Sequence, residues 1–366
     1  MWPDRRFADL VGIDIAIIQA PMAGFVSAEM AVAVSEAGGL GSLPCAMLGP
    51  EQIRAEFGIV RRRTSRPVNL NFFCHARPKD DPGREAAWRR RLQAYYAELG
   101  LDAEQKAGAG RAPFDETLCD LVVELAPDVV SFHFGLPEPR LLERVKATGA
   151  KVLSSATTVE EARWLEAAGC DAVIAQGFEA GGHRGMFLTD EVATQIGTLA
   201  LVPQVADAVR VPVIAAGGIA DARGIAAALA LGAAAVQIGT AYLFCPEASV
   251  SPVHRAALGS PRAVRTALTN VFTGRPARGI VNRIVRELGP LAQAAPEFPL
   301  AAGAIAPLRA KSEALGSDDF VPLWAGQAAA LGREMPAGEL TRTLAAEAVR
   351  HLRALGASAA GAEHDL

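Results

Sequence analysis

The chain of 366 residues is predicted to fold as an α/β protein, a (β/α)8 TIM barrel with a mostly helical lid inserted after the eighth strand. Three observations predict it. Short apolar runs recur along the sequence, helical patterns separate most of them, and glycine-rich turns follow the last two runs. The runs cover residues 13–18, 39–43, 67–73, 127–132, 151–154, 171–176, 212–216 and 235–239. Helical patterns lie at 28–37, 138–148, 159–168, 199–209 and 222–231. Strands that are apolar throughout, instead of alternating, belong to a parallel sheet covered by helices on its outer face, and eight such units close into a barrel.

Taken in order, the connection after the third strand, 74–113, is too long for a simple βα loop. It carries Trp88-Arg-Arg-Arg91 and Tyr95-Tyr96 on a helical stretch and is expected to decorate the barrel mouth. Its arginines, like Arg61-Arg-Arg63, read as a solvated helix face. Residues 224–246 contain no charge and approach the length of a bilayer span, but Gly232 divides them into an alanine-rich helix and a β-rich segment, so they read as buried barrel elements. From about 248 to 336 the alternation gives way to helix and to loops rich in Pro and Gly, among them Thr273-Gly-Arg-Pro-Ala-Arg-Gly279. The amphipathic pattern at 339–355 suits an eighth barrel helix. The expected organisation is therefore a barrel at 1–247, a helical lid or substrate domain at 248–336, and a C-terminal helix returning to the barrel at 337–366.

With 51% hydrophobic and 21% charged residues the chain has the composition of a well-buried globular enzyme. A formal net charge of -4 supplies no broad positive field for a phosphate polymer, which argues against nucleic acid as a partner. The cysteines (Cys45, Cys74, Cys119, Cys170, Cys245) are scattered and never spaced Cys-x-x-Cys, so the expectation is reduced thiols in the cytoplasm, with neither a disulfide framework nor a zinc site. The N-terminal apolar run is short and leads into Pro21, unlike a signal peptide.

Barrel enzymes build their sites from residues at the C-terminal ends of strands. After the first strand stands Gln19-Ala-Pro-Met-Ala-Gly24, whose small residues let backbone approach a planar ligand. Asn71 ends the third strand, His133 follows the fourth, and Gln176 ends the sixth; amides at the ends of apolar strands need partners, and a ligand can supply them. Ala215-Ala-Gly-Gly-Ile-Ala-Asp221 and Val236-Gln-Ile-Gly-Thr240 follow the seventh and eighth strands, where barrels commonly bind phosphate through glycine amides and a helix N-terminus. Asp221 is placed to cap that helix. His183, between Gly181, Gly182 and Gly185, is the strongest candidate for chemistry, since imidazole exchanges a proton near neutral pH and the glycines leave it room to project into the mouth. Its neighbours Glu179 and Arg184 are expected to orient the loop. His75 and Cys74 read as loop residues, because a metal site would need more ligands.

These residues together resemble the class I nitronate monooxygenases, formerly called 2-nitropropane dioxygenases, over nearly the whole chain. The resemblance rests on Gln19-Ala-Pro-Met-Ala-Gly24, Val68-Asn-Leu-Asn-Phe-Phe-Cys-His75, Ser131-Phe-His-Phe-Gly135, Ser154-Ser-Ala-Thr-Thr-Val-Glu-Glu-Ala162, the His183 loop, Ala216-Gly-Gly-Ile219, Gln237-Ile-Gly-Thr240, residues 260–282 and Trp324-Ala-Gly-Gln327. It implies a noncovalent FMN, its phosphate on Gly218, Gly239 and Thr240 and its ring lined by Ala20, Pro21, Met22, Asn71, Gln176 and Gly181; Gly217, His133 and Gln237 complete the expected cofactor-binding set. It also implies oxidation of alkyl nitronates, such as propionate 3-nitronate, with O2 to a carbonyl compound and nitrite, a detoxification. His183 would bind the nitronate and manage its proton. NAD(P)H is not expected to be needed. The alternative on the same barrel is an NAD(P)H-dependent flavin reductase of the quinone reductase or enoyl reductase type, which shares the phosphate loops. Beyond the nitronate and O2, a second copy of the chain in a homodimer is one expected partner.

Overall fold

The computed structural model describes residues 2–102 and 112–362. Part of the 74–113 connection and the end of the 337–366 segment thus lie outside the described residues. The strands are β1 (Ile17–Gln19), β2 (Gly41–Pro44), β3 (Val68–Phe73), β4 (Val129–His133), β5 (Lys151–Ala156), β6 (Ala172–Gln176), β7 (Gly182–His183), β8 (Val213–Ala216), β9 (Ala235–Ile238), β10 (Thr266–Thr269) and β11 (Ala277–Ile280). The helices are α1 (Arg6–Val11), α2 (Ala28–Glu36), α3 (Pro50–Arg63), α4 (Pro82–Glu98), α5 (Glu116–Leu125), α6 (Pro139–Ala147), α7 (Val159–Ala167), α8 (Thr198–Ala208), α9 (Ala222–Ala230), α10 (Pro252–Leu258), α11 (Arg283–Leu288), α12 (Ala301–Ala314) and α13 (Ala337–Ala362).

Eight parallel strands run in the order β1-β9-β8-β6-β5-β4-β3-β2, and a parallel bridge between Ile18 and Leu40 spans the remaining seam between β1 and β2. Each apolar run of the sequence contributes one of these strands. Every residue of β3 is buried, as a strand enclosed by a filled barrel on one side and helices on the other requires. The first strand begins later than the run 13–18 suggests, because the amides of Asp14 and Ile15 both donate to the carbonyl of Gly38 and form a turn there. Side-chain caps start several helices: Asp115 at α5, Thr158 at α7 and Asp221 at α9 each accept a backbone N–H of the first turn. Helix α13 packs on α2 and α9. Its Leu340, Leu344 and Ala348, spaced four residues apart on one face, are buried in the main core.

Residues 248–336 hold a small hairpin beside the expected helices, here α10, α11 and α12. This antiparallel hairpin, β10–β11, takes β7 as its third strand through Ala277↔His183 and Arg278↔Gly182. The Pro- and Gly-rich stretch that reads as loop spans the end of the turn and the start of β11, and pairing with a two-residue strand more than ninety positions away leaves no local signature. The helix of the long connection also packs outward from the barrel. Trp88, Leu92, Tyr95 and Tyr96 of α4 form a second apolar cluster with Ile284, Ile305, Leu308 and Phe320, and the Tyr96 hydroxyl donates to the carbonyl of Ala304 at 2.7 Å. Excursion and lid are thus packed together. No described helix is long and apolar enough to cross a membrane.

Candidate active site

The strand ends converge on one pocket that all the candidate site residues line: Ala20, Pro21 and Met22 after β1, Asn71 on β3, His133 on β4, Gln176 on β6, Gly181 and His183 around β7, Gly217 and Gly218 after β8, and Gln237, Gly239 and Thr240 on and after β9. The wall is polar where strands end and apolar between them. Asn71 donates Nδ2 to the Ser131 hydroxyl at 2.9 Å and to the Ser131 carbonyl at 3.2 Å. His133 has Nδ1 3.0 Å from the Ser155 hydroxyl and Nε2 3.3 Å from the carbonyl of His183. Burial, helped by the charge of Arg275, pushes its pKa down to about 3, so the ring is neutral. A carbonyl can only accept, which assigns the proton to Nε2 and leaves Nδ1 to accept from Ser155.

The loop bearing His183 is clamped from both sides. The Gln176 amide donates Nε2 to the His183 carbonyl at 2.9 Å and accepts from the Gly185 amide at 2.8 Å, so both its polar atoms hold the loop. Arg184, fully buried, returns the contact: its guanidinium donates to the carbonyls of Gly177 and Gln176 at 2.6 Å each and to Oε1 of Gln195 at 2.8 Å. Burial pulls the Arg184 pKa down to about 9, which still leaves the guanidinium charged near neutral pH. Glu179 accepts from the amide and hydroxyl of Thr198, tying the same loop to the start of α8. Arg184 and Glu179 are therefore positioning residues.

The His183 ring is fixed by the lid. Its Nε2 lies 2.9 Å from Oγ1 of Thr273, in the β10–β11 turn. Aromatic rings surround it: Phe298 at 5.2 Å, Trp324 at 5.6 Å, Phe134 at 6.1 Å and Phe73 at 6.4 Å between centroids. Phe134 adopts a left-handed backbone, φ 71°, which a side-chain-bearing residue tolerates only under tertiary constraint; the Arg275 guanidinium stacks on its ring at 4.2 Å. His254, buried beneath the wall, has Nε2 3.1 Å from the Trp324 carbonyl and packs edge-on against Phe25. Sequence reading missed Thr273, Phe298 and His254 because they arrive from lid elements whose docking is not written locally, and it missed Phe134, next to His133, because its left-handed backbone leaves no mark in the sequence.

At the end of β8, Gly217 and Gly218 take left-handed backbone, φ 113° and 68°, which turns the chain sharply beside Glu179 and Ala180. Asp221 caps α9 by accepting from the amides of Arg223 and Gly224, so those donors are engaged and an anion here would meet the loop amides instead. The amides of Gly218 and Gly239 have no acceptor among the described residues. A Cβ built on Gly239 would meet Ala20 and Met22 at 3.6 Å, ordinary contact without a clash. The buried Oε1 of Gln237, also in the pocket wall, has no hydrogen-bond partner among the described residues. Unengaged amides suit a phosphate and an orphaned acceptor suits a ring N–H, so the donor set fits a flavin nucleotide.

A barrel with this mouth is an oxidoreductase of the flavin-dependent kind. The chain belongs to the nitronate monooxygenase family, whose model, described as nitronate monooxygenase, matches residues 5–347. It is 48% identical over 345 residues to a nitronate monooxygenase of Pseudomonas aeruginosa, covering 93% of this chain and 98% of that protein. A nitronate monooxygenase of Paraburkholderia phytofirmans is 42% identical, over 94% of each. Among solved structures, a nitroalkane oxidase from Streptomyces ansochromogenes superposes with TM-score 0.86 at 40% identity, over 96% of this chain and 99% of that one. FabK from Thermotoga maritima is more distant, with TM-score 0.74 at 29% identity over 96% and 98%.

Proposed function

We propose that this protein uses FMN and O2 to oxidise alkyl nitronates, propionate 3-nitronate among them, to carbonyl compounds and nitrite, a detoxifying reaction, with His183 as the catalytic residue. The observation that carries the proposal is the His183–Thr273 pair, an imidazole held over a flavin-sized pocket. FMN, when bound, supplies the electron transfer from nitronate to O2. The chain's own residues do the rest. His183 holds the nitronate oxygens and accommodates their charge as it is lost, with Thr273 able to donate to or accept from Nε2 in either protonation state. Gln176 and His133 hold the His183 carbonyl, and the aromatic rings exclude water from the reacting atoms. Gly217, Gly218, Gly239 and Thr240 would hold the phosphate; Ala20, Pro21, Met22, Asn71, Gly181 and Gln237 would line the ring. FMN is favoured over a dinucleotide because the sequence has one phosphate corner and no Gly-x-Gly-x-x-Gly after a strand.

Anaerobic mixing tests the reading. A nitronate should bleach the bound flavin while NADH leaves it yellow, and denaturation should release FMN. Bleaching by NADH alone would replace this function with the reductase alternative.

A further inference from the structure

One short lid segment, residues 324–327, joins three parts of the mouth. It runs beside β11, where Trp324 forms an antiparallel bridge with Gly279 and the Ala325 amide donates to the Arg278 carbonyl at 3.3 Å. The next two amides reach out of the lid. Gly326 donates to Oγ1 of Thr240, in the phosphate corner, at 2.9 Å, and Gln327 donates to the carbonyl of Glu179, in the His183 loop, at 3.0 Å. The approach is close enough to need glycine on both sides. A Cβ on Gly326 would stand 2.9 Å from the Glu179 carbonyl oxygen, and one on Gly181 would stand 2.5 Å from the Gly326 amide nitrogen. At the head of the segment, the Trp324 ring lies 5.6 Å from the His183 ring between centroids, and the Trp324 carbonyl is 3.1 Å from Nε2 of His254. Trp324 and Gly326 both line the pocket.

We propose that residues 324–327 couple flavin binding to lid docking, so that a phosphate held at Thr240 also seats Trp324 beside His183. The inference rests on the proposed FMN and its phosphate corner. A hydroxyl that accepts from the Gly326 amide still has its one proton to give, and Thr240 faces the pocket, so a single side chain serves the lid and the phosphate together. An acceptor that takes this proton orders the hydroxyl and with it the Gly326 contact. Linkage makes the effect mutual: the factor by which bound flavin favours the docked lid is the factor by which the docked lid tightens the flavin. Gly326 is thus a positioning residue, acting on the cofactor through Thr240 and on the substrate side through Trp324.

Hydrogen exchange and flavin titration of the full chain test it. When FMN is added to protein stripped of flavin, amide exchange in residues 324–327 should slow at least about tenfold, and saturating riboflavin, which lacks the phosphate, should leave it near the flavin-free rate. Gly326→Ala, which forces the segment off the Glu179 carbonyl, should raise the dissociation constant for FMN at least about tenfold. If that variant does not fold, the exchange measurement on the wild type decides alone. Exchange unchanged by FMN, or slowed equally by riboflavin, overturns the coupling and leaves the cofactor standing, as does a folded Gly326→Ala protein that binds FMN like the wild type. If the wild type binds no FMN, the cofactor reading is refuted and the inference falls with it.

Discussion

Nε2 of His183 and Oγ1 of Thr273, 2.9 Å apart, join a barrel loop to a lid hairpin across ninety residues of chain. The bond does not stand alone, since Ala277 pairs with His183 and the Arg184 amide donates to the Pro276 carbonyl at 2.9 Å. The lid therefore supplies part of the histidine's own environment. A hydroxyl can donate or accept, so it fixes the ring's orientation without committing its proton.

Replacing His183 by Asn keeps a polar side chain of similar size and removes the exchangeable imidazole proton. Flavin content should stay near that of the wild type, while nitronate turnover per flavin falls roughly 100-fold or more, the scale of losing a positioned proton-handling group. Wild-type turnover per flavin in this variant would take His183 out of the mechanism.

Thr273→Val keeps the shape of the side chain and deletes the hydroxyl. The imidazole loses its lid partner, so turnover should drop roughly tenfold through kcat with flavin content unchanged, a loss of about 1.4 kcal/mol of transition-state stabilisation. Thr273→Ser restores the hydroxyl and should recover most of the rate. A Val variant as active as the Ser variant would reduce the contact to packing.

The barrel was legible because each strand is a short apolar run closed by Gly, Pro or a polar residue, and because barrel strands end at the mouth. Asn71, His133 and Gln176 could be placed at the rim from those strand ends alone. What each polar group touches was not legible. Gln176, expected to meet a flavin ring, spends its amide on the carbonyl of His183 and the amide of Gly185. Thr273 lies in a stretch that reads as a Pro/Gly loop, and its meeting with His183 depends on the β7–β11 pairing. Phe298 and Trp324 reach the imidazole from lid segments with no periodic pattern. Long-range docking decides these contacts, and a local pattern carries no information about it.

Gly239 gives a clean test of the phosphate corner. Its backbone is not left-handed and its Cβ position clashes with nothing, so Gly239→Val should fold, whereas Gly218 at φ 68° would be strained by any side chain. The Gly239→Val protein should remain soluble, with a melting temperature near the wild type, and be largely colourless. Full flavin occupancy would move the phosphate elsewhere.

Arg184→Met removes three charge-assisted hydrogen bonds and leaves the Gln176 and Gly177 carbonyls buried without that donor. The expected cost is about 3 kcal/mol, read as a fall in denaturant midpoint. The surviving folded protein should show a raised KM for nitronate as the His183 loop loosens. Unchanged stability would mean that the guanidinium's desolvation cancels its bonds.

Acid should weaken the fold through two buried imidazoles. Burial lowers His133 to about 3 and His254 to about 4, against roughly 6.5 in an unfolded chain. Between those limits the unfolded state binds protons that the folded state refuses, so unfolding free energy rises with pH and is lost as pH falls below about 6.5. At pH 4.5, about two units below 6.5, each histidine should have withdrawn a little under about 3 kcal/mol, counting about 1.4 kcal/mol per pH unit. Carboxylates add their own acid dependence, so the measurement is a comparison of melting curves between pH 7.5 and 4.5 for the wild type and for His133→Gln with His254→Gln. Glutamine still donates to a carbonyl but cannot take up the extra proton in the unfolded chain. The wild type should therefore lose several degrees more than the double variant over that range. Parallel curves would show that the two rings are protonated within the fold and that the lowered values are wrong.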